Sequence, residues 1–232
     1  MMNLKTKNNV KLKVINNVFT PTGTSDLLIK ASIKIIRQKK KILDLGCGCG
    51  VVGISIAKNL RIKNKIYFSD ISKQACKNTF VNCKNNRIKF DIREGSLLNP
   101  WKDSKFDYIV SDVAAIAADI SKISPWYKNC ENNSGYDGTD HIINIIINSK
   151  RYLNKNGKLI FPIISLSNER KILKNLKQNF DNIKVVNSQI WPMPASISKK
   201  KLLLNKLKKK KIISFDSKLG LLTFKTVIYC AS

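Results

Sequence analysis

Histidine is nearly absent: His141 is the single imidazole in 232 residues. Chemistry that needs a histidine base therefore has one candidate, and a histidine-rich metal site is excluded. Acids are also scarce, 15 against 43 basic residues, and among the basic residues arginine is scarce, six against 37 lysines. Specific phosphate readers favour arginine, whose planar fork matches phosphate geometry, so the lysine excess is not by itself the mark of one. No stretch of 18 consecutive apolar residues occurs, which excludes an ordinary membrane-spanning helix. The opening MMNLKTKNNVKLKV lacks the apolar centre and small-residue cleavage site of a secretory signal. A cytoplasmic location follows as the expectation. There is no internal repeat.

Cysteine is present six times but without a pattern. Cys47 and Cys49 stand in C-x-C spacing with no second pair to complete a zinc site. Cys76, Cys83, Cys130 and Cys230 are scattered, and all six read as reduced structural thiols with no metal among them. The net charge of +28 and pI near 10.0 suit an anionic partner such as nucleic acid. Drift toward the lysine, asparagine and isoleucine codons of an A+T-rich genome would give the same balance, and composition alone does not separate the two.

What is present is an alternation of strand and helix patterns, as a parallel sheet with crossover helices requires. KKILDLG (40–46) reads as a buried strand, VVGISIAKNL as a helix, and KIYFSD (65–70) as a second strand ending at Asp70. Residues 72–86 form an amphipathic helix with Ala75, Cys76, Phe80 and Cys83 on its inner face. Strands follow at 88–96, 106–114 and 158–164, with helices at 140–153 and 168–179 and a final strand in LGLLTFKTVIYCA. Two stretches interrupt the rhythm. Residues 113–139 follow the fourth strand, where a parallel sheet places its ligands. Residues 195–211 carry eight lysines around Leu202, Leu203, Leu204 and Leu207, either an electrostatic arm for RNA, ribosome or acidic membrane or a solvated helix anchored by its leucines.

The chemistry is concentrated in ILDLGCGCGVVGISIAK, residues 42–58. Gly48 to Gly53 satisfies G-x-G-x-x-G with Asp70 about 20 residues on, the dinucleotide fingerprint. A dinucleotide, however, lays a doubly charged pyrophosphate on that loop, and Asp44 would set a carboxylate beside it. S-adenosylmethionine brings a cationic ammonium and sulfonium instead, so Asp44 favours it. Asp70 is placed to accept from ribose hydroxyls.

LDLGCGCG, YFSDIS and FDYIVSD at these spacings resemble the class I S-adenosylmethionine-dependent methyltransferases. Within them the order is similar to the small-domain branch holding the release-factor glutamine methyltransferases and RNA N-methyltransferases. VFTPTGTSDLLIKA (18–31) resembles that branch's leading segment, and SGYDGTDHIINIIINSKRYLNKNGKLIF its later helix and strand. The resemblance implies a Rossmann-like, doubly wound, mostly parallel seven-stranded sheet with helices on both faces and the last strand antiparallel. It implies a methyltransferase domain over 18–232 with the lysine-rich insertion at 195–211, preceded by a basic segment, 1–17. It implies S-adenosyl-L-methionine as cofactor, held by Asp44, Gly46, Gly48, Gly50 and Asp70, with Ser25 near it and Ser96 at the adenine.

The branch's N-P-P-Y signature is replaced by Asp112-Val113-Ala114-Ala115. The acid survives; both prolines and the ring are lost. Asp112 is the expected catalytic residue, orienting the acceptor or receiving its proton. Val113, Ala114, Trp126 and Tyr127 are the expected substrate contacts, although the two rings could instead pin the long loop to the sheet. Asp137 and Asp140 read as helix caps, and His141 as structural. The expected substrate is a macromolecule methylated on nitrogen, RNA or a ribosome-associated protein met by a basic surface. The alternatives are a small-molecule methyltransferase and a module that binds the cofactor without turnover.

Overall fold

The computed structural model describes residues 2–5, 10–113, 115–127, 130 and 132–232. In chain order the strands are β1 (Met2–Lys5), β2 (Lys11–Val14), β3 (Ile42–Leu45), β4 (Ile66–Asp70), β5 (Phe90–Glu94), β6 (Phe106–Ser111), β7 (Leu153–Ile164), β8 (Ile183–Pro192), β9 (Asp216–Lys218) and β10 (Leu221–Ala231). The helices are α1 (Gly23–Ile35), α2 (Val51–Asn59), α3 (Lys73–Asn85), α4 (Ala118–Ser121), α5 (Asp140–Ser149), α6 (Glu169–Asn179), α7 (Ala195–Ser198) and α8 (Lys201–Lys209). The main sheet runs β5-β4-β3-β6-β7-β10-β8, with β9 added to β10. Seven strands thus form the expected path, and β9 makes an eighth. β5 through β7 are parallel, and β10 lies antiparallel between β7 and β8.

β3 is buried on both faces, as a central parallel strand must be. Its alternation divides the core. Ile42 belongs to a cluster with Leu28 of α1 and Ile54 of α2, whereas Leu43 and Leu45 pack with Ile145 of α5 and Leu176 of α6. Helices therefore cover both faces, with Asp44 on the α1–α2 side by the period of two. A third cluster joins Ile197, Leu204 and Leu207 of α7 and α8 to Ile116 and Phe224. The leucines of the lysine-rich insertion are its anchor, except Leu202, which is 89% exposed.

The largest departure from the sequence pattern concerns α3. Phe80 is 48% exposed, resting edge-on against Phe90 at 5.3 Å, and the inner face carries Asn78, Thr79 and Asn82 beside the expected Ala75 and Cys83. The reason is β2. Its backbone has no second strand on the α3 side, and three asparagines one helical turn apart supply the missing partners. Asn78 Oδ1 accepts from Ile15 N at 3.1 Å and its Nδ2 donates to Lys13 O at 2.7 Å. Asn82 Oδ1 accepts from Lys13 N at 2.9 Å, and Asn86 does the same for Lys11 N at 3.2 Å while donating to Lys11 O at 2.8 Å. Val10, Leu12 and Val14 are buried beneath this ladder. From Val10 onward, the segment expected ahead of the domain is packed into it.

Asn82 also donates to Cys49 O at 2.8 Å, so one buried side chain fastens both β2 and the glycine loop. Removing it strands Lys13 N and Cys49 O, while Lys13 O keeps Asn78. Asn82→Ala is expected to cost about 2–4 kcal/mol in urea unfolding, against no more than about 0.5 kcal/mol for Asn85→Ala on the exposed side of the same helix.

Candidate functional site

The carboxyl ends of β3, β4 and β6 converge on the loop between Leu45 and Val51. Gly46 N and Cys47 N both donate to Ser69 O, at 2.9 and 3.0 Å, which lashes the loop to β4. Gly46 sits at φ +73°, and a Cβ there would come within 2.6 Å of Val113 Cγ1, so only glycine lets the exit of β6 pass this close. Gly48, at φ +55°, differs: a Cβ on it would meet nothing within 4 Å. The loop is bare there because its outer face is open, as a ligand cradle must be. Gly50 is the residue on which α2 starts.

Two of the expected acids build this loop. Asp70 Oδ2 accepts from Gly48 N and Oδ1 from Ser72 N, both at 2.9 Å. Asp44 lies beneath the loop, 1% exposed, with Oδ2 accepting from Gly53 N at 2.8 Å and Oδ1 without a partner among the described residues. Burial drives the Asp44 carboxyl well above the usual carboxylate range. The Gly53 hydrogen bond opposes this, and the carboxyls of Asp112 and Asp70 reinforce it. Burial raises Asp70 too, against its backbone hydrogen bonds. Among the described residues none of these three acids pairs with lysine or arginine. In a chain of charge +28, three neighbouring acids without a paired cation stand out, and an opposite charge placed beside them would favour their ionised forms. Burial also keeps the neighbouring Cys49 thiol protonated, pushed up to about 12.

The third acid, Asp112, follows β6. Its Oδ2 accepts from Ser25 Oγ at 2.6 Å. Burial pushes the carboxyl up to about 6, held down partly by that hydrogen bond. Ser25, expected near the cofactor, is 1% exposed, also accepts from Thr22 N and holds Asp112. Asp112 opens on a cavity of about 240 Å³ that Val113, Trp126 and Tyr127 also line. Ala114 lies outside the described residues. Ser96 is exposed at the exit of β5, one residue past Gly95, whose N–H donates to Asp70 O at 2.9 Å.

Phe19, Trp191 and Phe224 complete the cavity wall and carried no signal in the sequence. Phe19 stacks at 5.2 Å on Tyr127, and Phe224 at 5.5 Å on Trp126. Trp191 is fixed by its Nε1 donating to Thr226 Oγ1 at 3.1 Å, and lies so close to α1 that a Cβ on Gly23 would fall within 2.6 Å of the indole. Trp126 and Tyr127 are therefore packed to the body and also line the cavity. Asp137 does not cap α5. It accepts from Thr139 and from Lys171 of α6 at 3.1 Å. His141 is half-buried on α5, away from the cavity wall.

Residues 9–112 match the family described as methyltransferase small domain. A protein of Methanocaldococcus jannaschii, provisionally named a protein N5-glutamine methyltransferase, is 28% identical over 168 residues, 72% of this chain and 83% of that one. A tRNA1(Val) (adenine(37)-N6)-methyltransferase of Actinobacillus pleuropneumoniae is 24% identical over 59% of this chain and 57% of its own length. Several other curated relatives are likewise longer, the match covering 49% to 64% of their length. The ribosomal protein L11 methylase of Lactobacillus delbrueckii subsp. bulgaricus superposes with a TM-score of 0.56 at 21% identity, covering 91% of this chain and 80% of that one. The fold is that of the class I methyltransferases.

The buried acid has a signature independent of any reaction. Because its folded-state carboxyl titrates above the unfolded one, stability is lost as pH climbs from the unfolded value through the raised one. Asn in its place accepts from Gly53 and does not titrate. Asp44→Asn is expected to melt above the parent protein by a margin that widens from pH 5 to pH 8, read by scanning calorimetry.

Proposed function

We propose that this chain, which carries a methyltransferase small domain over residues 9–112, is an S-adenosylmethionine-dependent methyltransferase that methylates a nitrogen of a macromolecule, RNA or a ribosome-associated protein. The observation that carries the reading is a bare glycine loop over unpaired carboxyls, set against a ring-lined cavity with one acid, Asp112. The residues fit the cofactor. The orphaned Asp44 Oδ1 and the absence of a paired cation suit its positive end, and Asp70 keeps lone pairs for ribose hydroxyls. The same acids would repel the pyrophosphate of a dinucleotide.

When bound, S-adenosylmethionine supplies a methyl group already activated on sulfonium. The protein's part is then alignment and proton management. Asp112 Oδ1 has no partner among the described residues, whereas Oδ2 is committed to Ser25. Oδ1 accepts the N–H of the acceptor, aims its lone pair, and takes the proton released as the nitrogen gains carbon. The ring walls exclude water and hold a planar group. Tyr127, backed by Phe19, does the work of the ring missing from Asp112-Val113-Ala114-Ala115. A cavity of about 240 Å³ lies below the 300–1,000 Å³ usual for whole small ligands. It suits one side chain or base presented by a larger molecule. An amide and an aromatic amine, the groups named for the two relatives above, are both planar N–H donors.

Asp112→Ala is expected to slow methyl transfer by about 10²–10⁴-fold while S-adenosylhomocysteine affinity, measured by calorimetry, stays within a few-fold. Because Asp112 must be ionised to accept, activity falls on the acid side of about pH 6. Ser25→Ala removes the hydrogen bond that favours the carboxylate, so the acid limb of the pH–rate profile moves to higher pH.

A further inference from the structure

We infer that α8 is a docking element for a single-stranded polynucleotide, which it feeds to the cavity beside Asp112. This rests on the methyltransferase reading and adds to it the chemistry of the substrate and the surface that grips it.

The first observation is where the lysines are and what they lack. Lys199, Lys200, Lys201, Lys206, Lys208, Lys209, Lys210 and Lys211 are all exposed. None forms an ion pair among the described residues, and no acid occurs between Asp181 and Asp216. Lys206, Lys209 and Lys210 fall at i, i+3 and i+4, where like charges weaken a helix. The helix tolerates that repulsion because it is held down from below by Leu204 and Leu207.

The second observation is what lies beneath. The cluster that seats α8 contains Ile116 and Phe224, and both also line the cavity. Lys210 Nζ reaches the Tyr136 hydroxyl at 3.4 Å, on the same excursion that carries Trp126 and Tyr127. Helix α8 and the ring-lined cavity thus share buried residues. Exposed lysines for a phosphate backbone, on an element seated against aromatic faces for a base, are the combination that single-stranded nucleic acids require. An acidic peptide could offer the rings one amide, whereas a single strand offers a stacking base beside every phosphate that the lysines meet.

A protein this basic binds any polyanion, so the test compares places rather than presence. In one variant Lys199, Lys201, Lys206 and Lys209 become glutamine. In a charge-matched control Lys63, Lys65, Lys105 and Lys155, exposed before β4 and β6 and within the first turn of β7, become glutamine. Affinity for fluorescent RNA and DNA single strands of about 20 nucleotides is measured across salt. The α8 variant is expected to bind at least tenfold more weakly than the control. Its log–log salt slope should fall by about 2–3, at about 0.7 for each phosphate no longer neutralised. Equal weakening in the two variants would overturn the proposal, as would an α8-dependent preference for polyglutamate over the oligonucleotides. S-adenosylhomocysteine titration of all three proteins separates the two layers. Retained cofactor binding with equally weakened RNA binding sinks only the docking role, and no cofactor binding in the parent sinks the reading beneath it.

Discussion

An unpaired set of carboxyls governs this protein. Asp44, Asp70 and Asp112 are brought together at the carboxyl ends of three adjacent parallel strands, with no basic side chain paired to them among the described residues. Buried acids without partners are costly, and the protein offsets the cost in three ways. Backbone N–H groups of Gly53, Gly48 and Ser72 solvate two of the carboxyls, a serine hydroxyl solvates the third, and raised proton affinity keeps charge low until a cation arrives. The glycine loop follows from this, since only a bare backbone can bend its amides onto two acids and still leave an open face at Gly48.

Helix α3 keeps that arrangement in register. Asn78, Asn82 and Asn86 stand in for a strand beside β2, while Thr79 and Asn82 hold the carbonyls of Gly48 and Cys49 at 3.0 and 2.8 Å. The N-terminal hairpin and the loop are thereby fastened to one rigid element. Polar side chains on an inner face are tolerable here because their donors and acceptors are met by backbone groups.

The loop and its acids were legible in the sequence because they are local: Asp44, Gly46, Gly48 and Gly50 lie within seven positions, and Asp70 ends the next strand. The mostly parallel character of the sheet was legible in the alternation of strand and helix patterns. The inner face of α3 was misread because apolar periodicity is blind to an asparagine ladder, whose partners lie more than 60 residues away. Ser25 was expected near the cofactor by resemblance, and nothing local announced that its hydroxyl goes to Asp112, 87 positions on. Trp191 and Phe224 were invisible for the same reason. They come from strands at the far edge of the sheet, and nothing in their neighbours announces that the chain folds them over Asp112. These two rings of the cavity wall thus come from tertiary packing, which no local motif encodes.

The charge asymmetry ties these parts together: the protein is basic outside and acidic at one point within. On the proposed reading the surface meets a polyanion and the loop a cation. The most direct test of the acid set is calorimetric titration of the purified chain with S-adenosylmethionine and with NADH under the same conditions. Binding of S-adenosylmethionine without binding of NADH is the expected result. Binding of NADH alone would contradict the account at its root, because a pyrophosphate would then be resting on the carboxyls that are supposed to exclude it.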